Sequence, residues 1–357
     1  MPTEDIASRR ILRMALGTSL AMWFSQMAGG PMSFITAVFA FVFLSLPLPR
    51  PSLKFAVGFV LILAVSFFGG ALIVPFLEHY RWAGILMFVV ALFHSFYFPA
   101  KGGSAVLGTL ATIGLTVAAA IGTVSADALL GISKAVSISA AVAMLFVWLA
   151  HALMPDPPPD PAMAGKRPPK PPPPDLHSAH LRAMRSMMIV LPLALFLLFS
   201  SSSTSYAIIM IKVATMGQQA NVASSRTMGR SLIVSTVIGG IGAIFAWQVL
   251  SIWPSLVIYT LLIALSCLIA GPKIFQGAAM HPNAGTWSYG ILTMIILLAP
   301  AVMDGAGSDG AGSAFYTRLF LFLVIAVYGS GAVAVFDAFW PKVMGSGKSL
   351  KEQAAAA

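Results

Sequence analysis

Charged side chains are scarce in this sequence. Asp, Glu, Lys and Arg together make up 9% of the 357 residues, whereas a soluble domain carries about 25%. Hydrophobic residues account for 58%, and the mean hydropathy is +0.90. Most of the surface therefore cannot face water, and the only long polar stretch runs from about Met154 to Arg185. The composition predicts a membrane protein without a large soluble domain.

Cysteine and clustered metal ligands are also missing. The single cysteine, Cys267, lies in an apolar run, which excludes a disulfide framework and a cysteine metal site. We expect it to be a packed or lipid-facing small side chain. No cluster of His, Asp and Glu and no nucleophile–base spacing stands out. The sequence therefore predicts no metal, no cofactor and no enzyme activity.

Twelve apolar runs are candidates to cross a bilayer as helices, which takes roughly 20 residues each. They are Ile11–Met27, Met32–Leu46, Phe55–Leu77, Trp82–Phe98, Ser104–Val124, Ala135–Leu153, Met184–Phe199, Ser203–Met216, Ser231–Ile252, Leu256–Ala270, Gly285–Met303 and Phe315–Phe339. The second and eighth are short. The first continues straight into further membrane segments, so we interpret it as a helix and not as a signal peptide. The pattern predicts an all-α polytopic membrane protein.

Basic residues orient these helices. With the N-terminus inside, nearly all Lys and Arg side chains fall on the cytoplasmic side, and only Arg81, Lys134 and Arg318 fall outside. The outer segments also collect the acids Glu78, Asp127, Asp304 and Asp309. The net charge of +10 is thus explained by topology and not by nucleic-acid binding. The sequence predicts a bacterial inner-membrane protein with both termini in the cytoplasm.

Two similar halves are predicted on either side of a proline-rich linker. The predicted divisions are a first six-helix half (1–154), a cytoplasmic linker (155–181), a second six-helix half (182–341) and a cytoplasmic tail (342–357). Arg10-x-x-Arg13 before the first span corresponds to Arg182-x-x-Arg185 before the seventh, and a Gly-Gly pair recurs in the third and ninth spans. Because each half has an even number of spans, both insert the same way round, as a parallel repeat. The glycine pairs favour close helix packing.

The segment from Tyr206 to Arg230 is the strongest candidate for a substrate site. Lys212 interrupts an apolar run near mid-depth, where a charge is costly and usually faces a cavity or a partner. The amides Gln218, Gln219 and Asn221 follow in a segment that suits unwound backbone lining water. Arg226 and Arg230 come next. These groups predict a site for a carboxylate, although Lys212 could instead extend toward lipid headgroups, with the two arginines as loop anchors.

Proton coupling would need a titratable group at useful depth. Asp337, His94 and His151 are the candidates, all near the inner ends of spans. Asp337 lies beside Phe336, Phe339 and Trp340, an environment that could desolvate its carboxyl group. Headgroup contact is the simpler interpretation of both histidines.

These motifs resemble the superfamily of aromatic acid exporters and fusaric acid resistance proteins. The resemblance is carried by Arg9-Arg10-x-x-Arg13-x-Ala15 in the first half, and in the second by Tyr206-Ala-Ile-Ile-Met-Ile, Arg226-x-x-Gly229-Arg230 and the glycines 239, 240 and 242. The chain would be a small two-half member without large soluble domains. The resemblance implies efflux of aromatic carboxylic acids or hydrophobic drugs. It also implies a periplasmic membrane-fusion adaptor as partner and an outer-membrane channel beyond it.

The leading hypothesis is therefore a secondary transporter that exports small organic anions. An anion channel, an intramembrane enzyme that modifies lipid and a structural subunit of a neighbouring pump are the alternatives. Substrate identity, coupling ion and homo-oligomerisation stay open.

Overall fold

Helices dominate the computed structural model. It describes residues 3–30, 32–155, 176–199, 213, 225–277, 279–303, 305 and 311–344. The helices of these ranges are α1 (Thr3–Ala28), α2 (Ile35–Leu44), α3 (Leu53–His79), α4 (Arg81–Ala100), α5 (Ala105–Gly122), α6 (Ala126–Leu153), α7 (Leu176–Leu198), α8 (Ser225–Ile252), α9 (Leu256–Ile274), α10 (Ala284–Met303) and α11 (Ala311–Met344). A two-residue antiparallel hairpin, β1 (Phe275–Gln276) and β2 (Ala279–Met280), joins α9 to α10.

Nine helices of the described ranges, α3 to α11, are long and apolar enough to cross a membrane. Their outward surfaces are hydrophobic: Val65, Phe68 and Ile241 each expose more than 60% of their side-chain surface. A surface of this kind is stable in hydrocarbon and not in water. The prediction of an all-α polytopic membrane protein is confirmed.

Helix α2 is much shorter than a membrane span. Its 10 residues extend about 15 Å, half of the roughly 30 Å of a bilayer core. Gly29, Gly30 and Met32 adopt positive φ angles of 69°, 116° and 57° just before it. The alternate prolines Pro47, Pro49 and Pro51 prevent a helix just after it. The predicted second span is therefore a short helical segment between two breaks.

Most of α2 is buried inside the bundle. Eight of its ten side chains are buried, and it packs against α1, α6 and α10. The predicted eighth span, Ser203–Met216, lies outside the described residues except for Val213, which is helical and fully buried. The count of twelve spans therefore stays a prediction.

The same helix pairs recur in both parts of the chain. In the first, α3 packs on α5 and α6, α4 on α5, and α1 on α6. In the second, α8 packs on α10 and α11, α9 on α10, and α7 on α11. Between the two parts, α1 packs on α9 while α7 packs on α4, which is the reciprocal arrangement. The predicted duplication would give this pattern, and the duplication itself stays a prediction.

Glycines permit the closest of these contacts. A Cβ added to Gly70 on α3 would lie 2.5 Å from the Ala118 Cβ and 3.0 Å from the Leu115 carbonyl oxygen, both on α5. A Cβ added to Gly239 on α8 would meet the Gly290 carbonyl oxygen and Thr293, both on α10. Only glycine allows such backbone proximity. The packing role predicted for the glycine pairs fits both positions.

The two ends of the bundle differ in charge. Three contacts show which helix ends lie together: Ile11 lies against Gly271, Trp148 against Pro51 and Tyr97 against His180. All of these residues therefore lie at the same end of the bundle. That end, called the basic end below, carries Arg9, Arg10, Arg13, Arg50, Lys54, Lys101, Arg182, Arg185, Arg230 and Lys273. The opposite end carries the acids Glu78 and Asp127 and the basic residues Arg81, Lys134 and Arg318. Which end faces the cytoplasm stays a prediction.

Candidate functional site

Most of the predicted substrate residues lie outside the described part of the chain. This applies to Tyr206, Lys212, Gln218, Gln219 and Asn221. Arg226 and Arg230 both fall in the first two turns of α8, where Arg230 is exposed at the basic end and the side chain of Arg226 lies outside the description. Helix α8 is thus the described element that carries two of the predicted site residues, Arg226 and Arg230.

Side-chain hydroxyls join three helices at the start of α8. Ser231 on α8 and Thr286 on α10 share a hydrogen bond of 2.8 Å. Ser330 on α11 donates to the Gly229 carbonyl oxygen on α8, also at 2.8 Å. The second turn of α8 is therefore fixed by both of its neighbours, directly beside Arg230. A hydrogen-bonded polar cluster next to a cation suits the recognition of an anion.

Further polar contacts extend along the same helices. Tyr328 on α11 donates to the Ile189 carbonyl oxygen on α7 at 3.1 Å, and the Gln248 amide on α8 donates to the Tyr316 hydroxyl on α11 at 3.2 Å. Thr293 on α10 is 1% exposed, facing Gly239. Helix α11 is therefore hydrogen-bonded to both α7 and α8, and Thr293 lies buried between α8 and α10.

A second buried polar region surrounds α2. Arg13 on α1 is 2% exposed, and it lies one turn before Gly17, which packs against Leu44 of α2 and Ala150 of α6. Thr36 on α2 and Thr18 on α1 are also buried. Sequence reasoning assigned Arg13 to a cytoplasmic anchor and did not expect its burial. Its position inside the apolar run after Ile11 was the available signal, because a loop anchor would precede such a run.

The three candidates for proton coupling are in different surroundings. His151 on α6 is 7% exposed, and its Nδ1 lies 2.8 Å from the Val147 carbonyl oxygen. His94 on α4 is exposed, with its Nδ1 2.8 Å from the Val90 carbonyl oxygen. Asp337 lies in α11, and its side chain falls outside the description. Burial within the bundle favours His151 over His94 for a coupling role, which stays a prediction.

No group of three or more metal-binding side chains occurs among the residues that the structure describes. Cys267, the lone thiol, is fully buried on α9 beside Thr18 of α1. It therefore belongs to the contact between α1 and α9 and serves packing.

Comparison with known proteins concerns the first part of the chain. Residues 10–150 match the protein family DUF2955. That family is described as a protein of unknown function, and the match covers less than half of the chain. The matched range runs from α1 to the last turn of α6, close to the predicted first half of 1–154. No curated protein and no solved structure matches the chain.

Proposed function

We propose that this protein is a secondary transporter that exports small organic anions, such as aromatic carboxylic acids, or hydrophobic drugs, across a bacterial inner membrane. The supporting observation is the short helix α2, which is enclosed between α1, α6 and α10. Non-helical backbone at membrane depth is tolerated only inside protein or beside a water-filled cavity. Transporters use such interrupted helices, near the interface of their repeats, to form substrate sites.

The reciprocal packing of the two parts supports a mechanism of alternating access. The contacts α1–α9 and α7–α4 are the main joints between the halves. Two similar units joined at two equivalent places can rock against each other, which opens the middle of the membrane first to one side and then to the other. The short α2 lies in the region that such a movement would expose.

The cations of the second half define the substrate class. Lys212 is the proposed partner of the substrate carboxylate, while Gln218, Gln219, Asn221 and Tyr206 supply hydrogen bonds. Arg226 and Arg230 would attract the anion toward the start of α8, where the hydroxyls of Ser231, Thr286 and Ser330 fix the backbone. His151, His94 and Asp337 are the proposed groups for coupling to a proton gradient.

The Lys212→Met variant tests this proposal. Removing the ammonium group should abolish efflux of a radiolabelled hydroxybenzoate from proteoliposomes, because the buried carboxylate would lose its partner. Lys273→Met is the matched control, since Lys273 is an exposed lysine at the basic end. Efflux that persists in Lys212→Met at the rate of Lys273→Met would reject the assigned role.

An anion channel is the second candidate, because a basic bundle end with aligned hydroxyls also suits anion conduction. Recordings from the purified protein in a planar bilayer separate the two. Large unitary currents would identify a channel, whereas a transporter moves charge too slowly to give them.

A periplasmic membrane-fusion adaptor and an outer-membrane channel complete the proposed export route. The adaptor would dock at the end opposite the basic end, where α3 and α4 are joined by Tyr80 alone and α5 and α6 by three residues. Exposed aromatic side chains at this end include Trp82 and Trp253, at 84% and 64% exposure. Co-purification with the adaptor should be lost in the Trp82→Ser, Trp253→Ser double variant. Undiminished recovery would contradict docking at this end.

A further inference from the structure

A largely open pocket of about 460 Å³ lies at the basic end, between the α2–α3 connection and α6. Its five lining residues are Arg50, Pro51, Ser52, Leu53 and Trp148. The first four connect α2 to α3 and begin α3, and Trp148 belongs to the last turns of α6. The cavity therefore lies between two elements that are almost 100 residues apart in the chain.

Two hydrogen bonds and two prolines fix the backbone around this pocket. The Trp148 Nε1–H donates to the Pro51 carbonyl oxygen at 2.8 Å. Pro49 and Pro51 restrict the backbone on either side of Arg50. Ser52 caps α3 by accepting a hydrogen bond from the Phe55 amide at 3.2 Å. These contacts fix the backbone of the α2–α3 connection against α6.

The cavity lies where the polar and the lipid-facing surfaces meet. Arg50 and Lys54 are exposed beside it. Leu53, Val57 and Leu61 follow at one-turn spacing along α3 with 67%, 50% and 58% exposure. A ligand seated in the cavity can therefore continue along an apolar helix face. Tryptophan is typical of this depth, because its ring is apolar and its N–H needs a polar partner.

We propose that this cavity binds the phosphate headgroup of an anionic phospholipid, whose acyl chains lie along α3. Arg50 supplies a cation with a planar set of donors that suits phosphate oxygens, and none of the five lining residues is acidic. Lys54, the second residue of α3, adds a second positive charge. The stripe of Leu53, Val57 and Leu61 explains why the ligand is a lipid and not a free anion.

Native mass spectrometry of the full chain in detergent tests this site. Titration with dioleoyl phosphatidylglycerol should give one saturable bound lipid, and dioleoyl phosphatidylcholine should bind more weakly. Arg50→Gln should weaken phosphatidylglycerol binding about tenfold, as expected for the loss of hydrogen bonds from a charged group. Lys134→Gln, which removes an exposed lysine at the opposite end, should leave it unchanged.

A second variant guards against misfolding as the cause. Trp148→Phe keeps an aromatic ring but removes the donor to Pro51, so it should weaken lipid binding severalfold. Without lipid, the thermal unfolding midpoints of Trp148→Phe and Arg50→Gln should both stay close to that of the wild type. Equal affinity for both lipids, or no effect of Arg50→Gln, would overturn the proposal. Displacement of the lipid by glycerol 3-phosphate or salicylate, with the same dependence on Arg50, would also overturn it, because the cavity would then bind a soluble anion.

Discussion

The two parts of the bundle share their helix pairing but differ in the chemistry between the helices. In α3 to α6, Ser66, Thr116, Ser133 and Ser137 each donate to a carbonyl oxygen of their own helix. In α8, α10 and α11 some hydroxyls also bond within their own helix, as Ser235 does, but others reach across to neighbouring helices, as in the pair Ser231–Thr286. The same helix pairing is therefore accompanied by different hydrogen bonds in the two parts.

Aromatic contacts are prominent between the helices of the first part. Phe39 and Phe43 on α2 make edge-to-face contacts with Phe55 and Phe59 on α3, with ring centroids 5.0 to 5.7 Å apart. Helices in a membrane gain little from the hydrophobic effect, so close packing alone can hold them. Hydrogen bonds such as Ser231–Thr286 additionally fix the polar arrangement at the contacts that they join.

Locking the joints between the halves should have the largest effect. An ideal Cβ at position 271 lies 3.1 Å from the Ile11 Cβ, close enough for a disulfide after a small shift. In a Cys267→Ser background, the Ile11→Cys, Gly271→Cys double variant should cross-link on oxidation. Transport should then stop completely and return on reduction, because the halves can no longer rock.

The reciprocal joint sharpens the same test. The Tyr97 and His180 rings lie 4.4 Å apart between α4 and α7, so Tyr97→Cys with His180→Cys should be bridged by a short bismaleimide. Single-cysteine variants treated alike are the controls. Full transport in either cross-linked protein would show that the halves do not move apart at that joint.

Glycine substitutions should have an intermediate effect. Gly239→Ala and Gly70→Ala should each lower the free energy of unfolding by about 1–3 kcal/mol, because the added methyl group meets a tightly packed neighbour. In both variants the closest atoms are fixed to the backbone, the Gly290 carbonyl oxygen for Gly239→Ala and the Ala118 Cβ for Gly70→Ala, so rotation of a side chain cannot relieve the contact. The buried Cys267 provides the readout, through the temperature at which it becomes reactive toward a maleimide dye.

Gly69→Ala is the matched control for this comparison. No heavy atom lies within 4 Å of the Cβ position at residue 69, one residue from Gly70. The temperature at which Cys267 becomes reactive should be the same in Gly69→Ala as in the wild type. A loss as large as that of Gly70→Ala would mean that the α3–α5 contact is not the cause.

Removing single hydroxyls should have the smallest effect and should separate the two parts. Thr286→Val breaks the contact with Ser231 and should cost about 0.6 kcal/mol, the usual value for a hydrogen bond between membrane helices. Thr116→Val removes a hydroxyl that bonds within its own helix and should leave the midpoint unchanged. Equal losses in the two variants would erase the proposed difference between the parts.

Span positions followed from the sequence, but local geometry did not. Except for Ser203–Met216, which lies outside the described residues, the predicted spans from Phe55–Leu77 onward fall within or close to the observed helices, because apolar length alone decides them. Helix α2 proved shorter than Met32–Leu46, since the breaks around it depend on backbone conformations such as the positive φ of Met32. The hairpin between α9 and α10 could not be predicted, because a strand of two residues is too short to show an alternating pattern.

The candidate site was only partly accessible from the sequence. The divergence of the halves could be anticipated from Lys212, which has no counterpart in Phe34–Phe43. The burial of Arg13 and the contact of Ser231 with Thr286 could not, because both depend on which helix faces come together.

The sequence by itself determined that this chain is a helical membrane protein, because the scarcity of charge and the length of its apolar runs leave no other way to satisfy the backbone. It also determined the segregation of basic residues, which follows from their order along alternating helices. Only the tertiary structure decided that α2 is enclosed, that α1–α9 and α4–α7 form reciprocal joints, and that a cavity lies between Arg50 and Trp148. These features depend on contacts between distant parts of the chain. The hydrophobic pattern of one helix does not show which other helix it packs against.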